Sequence, residues 1–197
     1  MRFKKVTKVA IFIDYDNFSI SYSKRFNTLE RDIKIWDTLS DKIIDYYQKN
    51  FINNDFEVIE HIGSFLCVGV SEFLVHYGEK EKKKWFQELD RKDGFIVKYG
   101  SRTKSYKDNK GITRLGKEKG VDAEIICQML MGAFLDHYDA CILLSDDTDY
   151  LPAIRRVQEY FGKKVIQAGY HTLSRLRNQA YAHIPLENAD ADLNFSK

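Results

Sequence analysis

Two apolar runs that each stop abruptly in acid constrain this chain more than any other feature. Val9-Ala10-Ile11-Phe12-Ile13 ends at Asp14-Tyr15-Asp16-Asn17, and Ala140-Cys141-Ile142-Leu143-Leu144 ends at Ser145-Asp146-Asp147-Thr148-Asp149. A strand with one wet face alternates apolar and polar residues, whereas an unbroken apolar run suits a parallel sheet covered on both faces. In such sheets ligands collect beyond the carboxyl ends of the strands. The acids therefore stand where chemistry is expected.

The remainder of the chain supplies the covering helices. Strands are expected over residues 6–13, within 56–70 with an interruption at Gly63, and over 95–99, 140–144 and 164–168, with an edge strand near 183–186. Apolar residues at helical spacing predict helices over 35–51, 121–135 and 149–161 and a short one over 172–180. Residues 71–92 are also read as helix, with Phe73, Leu74, Tyr77, Trp85, Phe86 and Leu89 inward and Lys82, Lys83 and Lys84 on the solvated face. Residues 100–120 are read as loop. Alternation of this kind implies βαβ units and a mostly parallel sheet. The expected architecture is one α/β domain over residues 1–197, an α/β/α sandwich.

Composition narrows the class. With 44% hydrophobic and 30% charged residues, the 197-residue chain can build an ordinary core. No apolar stretch is long enough to span a bilayer, and the first run is too short and too broken by Asp14 and Asp16 for a signal peptide. Cys67, Cys127 and Cys141 are dispersed in apolar runs without a CxxC pair, so all three are read as small buried hydrophobes in a reducing cytoplasm. The histidines show no HxxxH spacing, and no GxSxG or phosphate-loop pattern occurs, which leaves serine-hydrolase and NTPase readings unsupported. Association into a homo-oligomer is left open.

Carboxylates brought together repel and raise one another's pKa unless a cation neutralises them. A hard divalent ion takes oxygen ligands and keeps several waters, and two such ions can activate water and stabilise the leaving oxygen of a phosphodiester. Asp14, Asp16, Asp122, Asp147 and Asp149 all fall at strand-to-helix junctions, which favours a metal site over separate structural roles. The structural alternatives are turn formation by Asp14 and Asp16, helix capping by Asn17 and Asp122, and capping by Asp147 or Asp149 of the helix that carries Pro152 in its first turn. The segment 98–119 carries Lys98, Arg102, Lys104, Lys107, Lys110, Arg114, Lys117 and Lys119 against Asp108 and Glu118, in a chain whose formal net charge is only +2. Together with Tyr99 and Tyr106 it reads either as a clamp for phosphates and unpaired bases or as a solvated loop. Arg155 and Arg156 are read as an exposed helix side.

At these residues the sequence resembles the NYN domain family, a LabA-like branch of the PIN-like metal-dependent nucleases. The matching stretches are residues 9–17, Lys119-Gly120-Val121-Asp122, and residues 138–150, with weaker likeness over 20–115. The resemblance implies a PIN-like sandwich in which Asp14, Asp122, Asp147 and Asp149 hold Mg²⁺ or Mn²⁺ and Asn17 orients a water or a phosphate oxygen. Water would attack phosphorus in line, with no covalent enzyme intermediate, and Ser145 and Thr148 would touch substrate. The third motif commonly reads Ser-Gly-Asp-Ser-Asp-Phe, so Asp146 stands for a glycine and Tyr150 for a phenylalanine. Asp16 often corresponds to a glutamate, and Tyr181 occupies a place where aspartate is common.

The expected function is a metal-dependent ribonuclease acting on single-stranded RNA. Its enzyme rival is a HAD-like phosphatase, with Asp14 as nucleophile and Asp16 as acid/base; there Asn17 is atypical and the Lys119–Asp122 motif has no purpose. The other rival is a non-catalytic RNA-binding module on the same fold.

Overall fold

A computed structural model describes residues 4–26, 33–52, 56–71, 77–103, 106–111, 113–114, 116–170 and 175–186. Strand β1 (Lys5–Asp14) leads straight into α1 (Tyr15–Phe26) and α2 (Ile33–Phe51). Then follow β2 (Glu57–Ser71), α3 (Tyr77–Leu89) and β3 (Phe95–Arg102). Three short strands, β4 (Tyr106–Lys107), β5 (Thr113–Arg114) and β6 (Glu118–Lys119), precede α4 (Val121–Phe134). The chain continues through β7 (Ala140–Leu144), a 3-10 turn (Thr148–Tyr150), α5 (Leu151–Phe161), β8 (Lys164–Gly169), α6 (Arg175–Gln179) and β9 (Ala182–Pro185).

Seven strands form one sheet in the order β6-β3-β2-β1-β7-β8-β9, parallel throughout except for β6, which runs against β3. Side chains alternate between two cores. Val9, Ile11 and Ile13 of β1 face Tyr15, Phe18 and Tyr22 of α1, Leu39, Ile43 and Tyr47 of α2, and Phe86 and Leu89 of α3. Ala10 and Phe12 face Ile125 and Met129 of α4, Ile154 and Val157 of α5, and Leu176 of α6. Helices on both faces are why β1 and β7 read as continuous apolar runs.

From β1 the chain steps outward through β2 and β3, and from β7 it steps the other way through β8 and β9. The order reverses between β1 and β7, which are adjacent with Ile13 opposite Leu144. Asp14 and Ser145 therefore emerge side by side at the topological switch point, where open α/β sheets form their crevice.

Several expectations from sequence need correction. Residue 71 closes β2 instead of opening a helix; α3 runs over Tyr77–Leu89, and Phe73 and Leu74 lie outside the described residues. Gly63 does not interrupt β2: with φ near +147° it sits at a register shift opposite Val9 and Ala10, and pairing resumes on both sides. The 100–120 region is not plain loop. Cys67 and Cys141 are buried, but Cys127 is exposed. Lys82 turns inward, away from the solvated face where the lysine run placed it.

Candidate active site

Asp14 ends β1 and caps α1: the backbone N–H of Asn17 donates to its Oδ1 at 3.2 Å. Cap duty thus falls to Asp14 and not to Asn17. The Asn17 side chain instead accepts the backbone N–H of Asp146 through Oδ1 at 3.0 Å, pinning the loop after β7 to α1. The other carboxylate oxygen of Asp14 accepts from the hydroxyls of Ser145 and Tyr150, each at 3.1 Å.

Tyr150 joins the two halves of the site. Its hydroxyl lies 2.9 Å from Asp122 Oδ1 as well as 3.1 Å from Asp14 Oδ2, so one fully buried phenol brings both carboxylates together. Asp122 reaches it from the first turn of α4, whose cap is Gly120 with φ +83°, so the alternative reading of Asp122 as the cap does not hold. Only 4% of Asp14 is exposed, and burial, assisted by the negative charge of Asp122, pushes its carboxyl from 3.8 up to about 6 against the pull of its hydrogen bonds. The same burial and the two carboxylates raise the Tyr150 phenol well above its ordinary range, which keeps it a neutral donor.

Asp147 and Asp149 occupy the rim. The backbone N–H of Asp149 donates to Asp147 Oδ1 at 3.0 Å, capping the 3-10 turn, and the backbone N–H of Asp147 donates to Ser145 Oγ at 3.1 Å. One hydroxyl at Ser145 thus links Asp14 to the acid loop. Behind it, fully buried Gln167 of β8 donates to the Ser145 carbonyl at 2.9 Å and to Asp146 Oδ1 at 3.0 Å. Gly169 leaves room for this contact, since a Cβ there would run into the Asp146 and Gln167 side chains. The charge that Asp146 adds to its motif is thereby hydrogen-bonded on the protein side.

The basic residues are distributed unevenly. Beyond β3 the chain forms an antiparallel excursion, with Ser101 opposite Lys119, Arg102 opposite Glu118 and, farther out, Tyr106 opposite Arg114. Lys107, Lys110, Lys117 and Lys119 are exposed on it, as are Tyr99 and Tyr106, while Lys98 is half-buried. Lys104 and the side chain of Arg114 lie outside the described residues. Arg102 points inward, and Ser145 is buried with its hydroxyl committed to Asp14 and Asp147; Thr148 is exposed on the 3-10 turn. Arg155 and Arg156 are exposed on α5.

Asp14 and Asp122 are the carboxylates best placed to hold a cation. A hydrated Mg²⁺ or Mn²⁺ suits them, since such ions are commonly gripped by one or two carboxylates and keep waters elsewhere. A carboxyl disfavoured in its ionised form by burial, and to a lesser degree by a second carboxylate, is also a group that a cation stabilises. Among the described residues no group of three or more His, Cys, Asp or Glu side chains is placed to hold a metal ion; Asp14 and Asp122 meet through the Tyr150 hydroxyl, and Asp147 and Asp149 stand on the loop that Ser145 links to Asp14. A separate cavity of about 760 Å³ opens at the other end of β1, between Lys8, Phe12, Phe65 and Tyr138, and contains none of these acids.

A profile of the NYN domain matches residues 8–187, from within β1 past the end of β9. The chain belongs to the NYN domain family. This is a PIN-like nuclease family, which makes nucleic acid its class of substrate. The fold is similar to the crystal structure of a protein of unknown function from Vibrio parahaemolyticus, with a TM-score of 0.56 and 20% identity over 93% of this chain and 95% of that one. No curated protein matches the sequence significantly. Among the described residues no helix is long and apolar enough to cross a membrane.

Sequence alone does not single out Tyr150 and Gln167 at this site, nor Lys82 beside Asp16 and Glu118 beside Arg102. Two left a signal: a tyrosine where NYN motifs commonly carry phenylalanine, and a glutamine inside an otherwise apolar strand, which needs buried partners.

Proposed function

We propose that this NYN domain is a metal-dependent ribonuclease that hydrolyses single-stranded RNA, with Asp14 and Asp122 as principal ligands and Asp147 and Asp149 completing the site from the rim. The observation that carries the reading is the meeting of Asp14 and Asp122 at the Tyr150 hydroxyl, at the sheet's switch point and, for Asp122, three residues beyond the last strand of the basic excursion.

A bound Mg²⁺ or Mn²⁺ supplies Lewis-acid polarisation of the phosphate and lowers the pKa of water. The chain's own residues supply the placement. Tyr150 and Ser145 fix the Asp14 carboxylate, and Asn17 holds the acid loop against α1. Lys107, Lys110, Lys117 and Lys119 neutralise backbone phosphates, while Tyr99 and Tyr106 offer faces on which unpaired bases stack.

Labelled single-stranded RNA and DNA, incubated with Mg²⁺ or Mn²⁺ and with an EDTA control, test the proposal. Metal-dependent RNA cleavage by the wild-type chain, lost in Asp14→Asn and in Asp147→Asn, is the expected result. Salt-sensitive RNA binding without cleavage would point to a binding module, and trapping of a phospho-aspartate at Asp14 to a phosphatase.

A further inference from the structure

Asp16 sits two residues beyond Asp14, yet its carboxylate is turned to a different task. Its Oδ2 accepts from Arg102 Nη2, and Lys82 Nζ lies 3.4 Å from Oδ1. Both cations are nearly enclosed: the side chains of Arg102 and Lys82 are 8% and 10% exposed. Lys82 further rests over the rings of Tyr15 and Phe86, at 5.1 and 5.8 Å.

Arg102 reaches three separate elements and the segment that leads into β6. Nε reaches the Gly69 carbonyl of β2 at 3.3 Å and Nη1 the Gly116 carbonyl at 3.1 Å, while Nη2 serves Asp16 of α1 and lies 3.7 Å from Glu118 Oε1 of β6. Gly69 admits this arrangement, because a Cβ there would collide with the Glu118 carboxylate. Among the described residues two cations face two carboxylates, so these four side chains together bring little net charge to a phosphate. What it fixes is geometry: it stands at the root of the excursion that carries the exposed lysines and that runs directly into Asp122.

We infer that Asp16 is a positioning residue that, through Arg102 and Lys82, latches the basic excursion and the start of α4 to α1, so that RNA meets a clamp already aimed at Asp14 and Asp122. The inference rests on the ribonuclease reading for its consequence, though not for the latch itself. It also separates two neighbouring acids by role: Asp14 belongs to the chemistry, Asp16 to the aim of the substrate clamp.

The test pairs a structural readout with a kinetic one on the full chain: amide hydrogen exchange over residues 106–119, and KM and kcat for single-stranded RNA. Asp16→Asn and Arg102→Gln should each speed exchange in that segment about tenfold and raise KM by about tenfold, with kcat changed much less. The double variant should be no worse than either single one, and Asp16→Glu should recover most of the loss. Should Asp16→Asn not fold, Arg102→Lys, which keeps the charge but cannot span the Gly69 and Gly116 carbonyls, must show the same faster exchange. Unchanged exchange in these variants, additive single effects, or loss of kcat at unchanged KM would overturn the latch. Faster exchange in a chain that cleaves no RNA would uphold the latch and remove the nuclease reading alone.

Discussion

Asp14 ends β1 and Asp16 follows two residues later in α1, and their surroundings could hardly differ more. Asp14 is buried among hydroxyls, a backbone amide and a second carboxylate, and its carboxyl is pushed up to about 6. Asp16 is 20% exposed and is gripped by two enclosed cations. One region holds charge that its setting disfavours, on which the proposed cation site rests; the other balances its charge within the protein, on which the proposed joint rests. The comparison teaches that two acids of one motif can meet opposite electrostatic settings, one that disfavours the charge and one that balances it, whatever their spacing.

Variants can break or sharpen this contrast. The largest effect is expected on the construction side: Arg102→Ala should cost about 3–5 kcal/mol in urea unfolding, because it leaves Asp16 and Glu118 enclosed without their common partner. Unfolding within error of wild type would mean that the latch is not a joint at all.

On the chemical side the sign is opposite. The folded-state pKa of Asp14 is raised, so its contribution to stability is fully present below about pH 3.8 and is lost as pH rises through about 6. In chelator, Asp14→Asn should therefore gain on wild type between pH 4 and pH 7 by up to about 3 kcal/mol, whatever constant offset its altered hydrogen bonds impose. Parallel stability curves for the two proteins would show that Asp14 is not held at a cost.

Removing the hydroxyl that links the acids should matter less. Tyr150→Phe is expected to lower stability by about 1.5 kcal/mol, the scale of a hydrogen bond to a charged group, with retention of the fold. Smallest of all, Lys110→Ala should leave stability within about 0.5 kcal/mol, as for other exposed sites. If Lys110 contacts a phosphate, the substitution should also flatten the salt dependence of RNA affinity by about 0.7 in log-log slope.

Most of the sheet was legible in the sequence because two helical layers force the central strands to be apolar on both faces. That leaves the unmistakable runs ending at Asp14 and Leu144. The same logic placed the acids at strand ends. What escaped notice depends on contacts between residues distant in sequence. Helix α1 buries Tyr15, Phe18 and Tyr22, but serines and charges between them mask the stripe. Strands β4, β5 and β6 are two residues each and polar, so they exist only through their pairing. Lys82 stands in a run of identical lysines, and nothing local distinguishes the one that meets Asp16 across the fold. Tyr150 and Gln167 carried a trace, as polar atoms at positions otherwise suited to apolar side chains, but their partners could not be named from sequence.

Cleavage of labelled single-stranded RNA by wild type and Asp14→Asn, with and without Mg²⁺ or Mn²⁺, tests the central claim most directly. The account predicts metal-dependent cleavage by wild type and none by a folded Asp14→Asn. Equal cleavage by the two proteins, or cleavage that persists in EDTA, would contradict it.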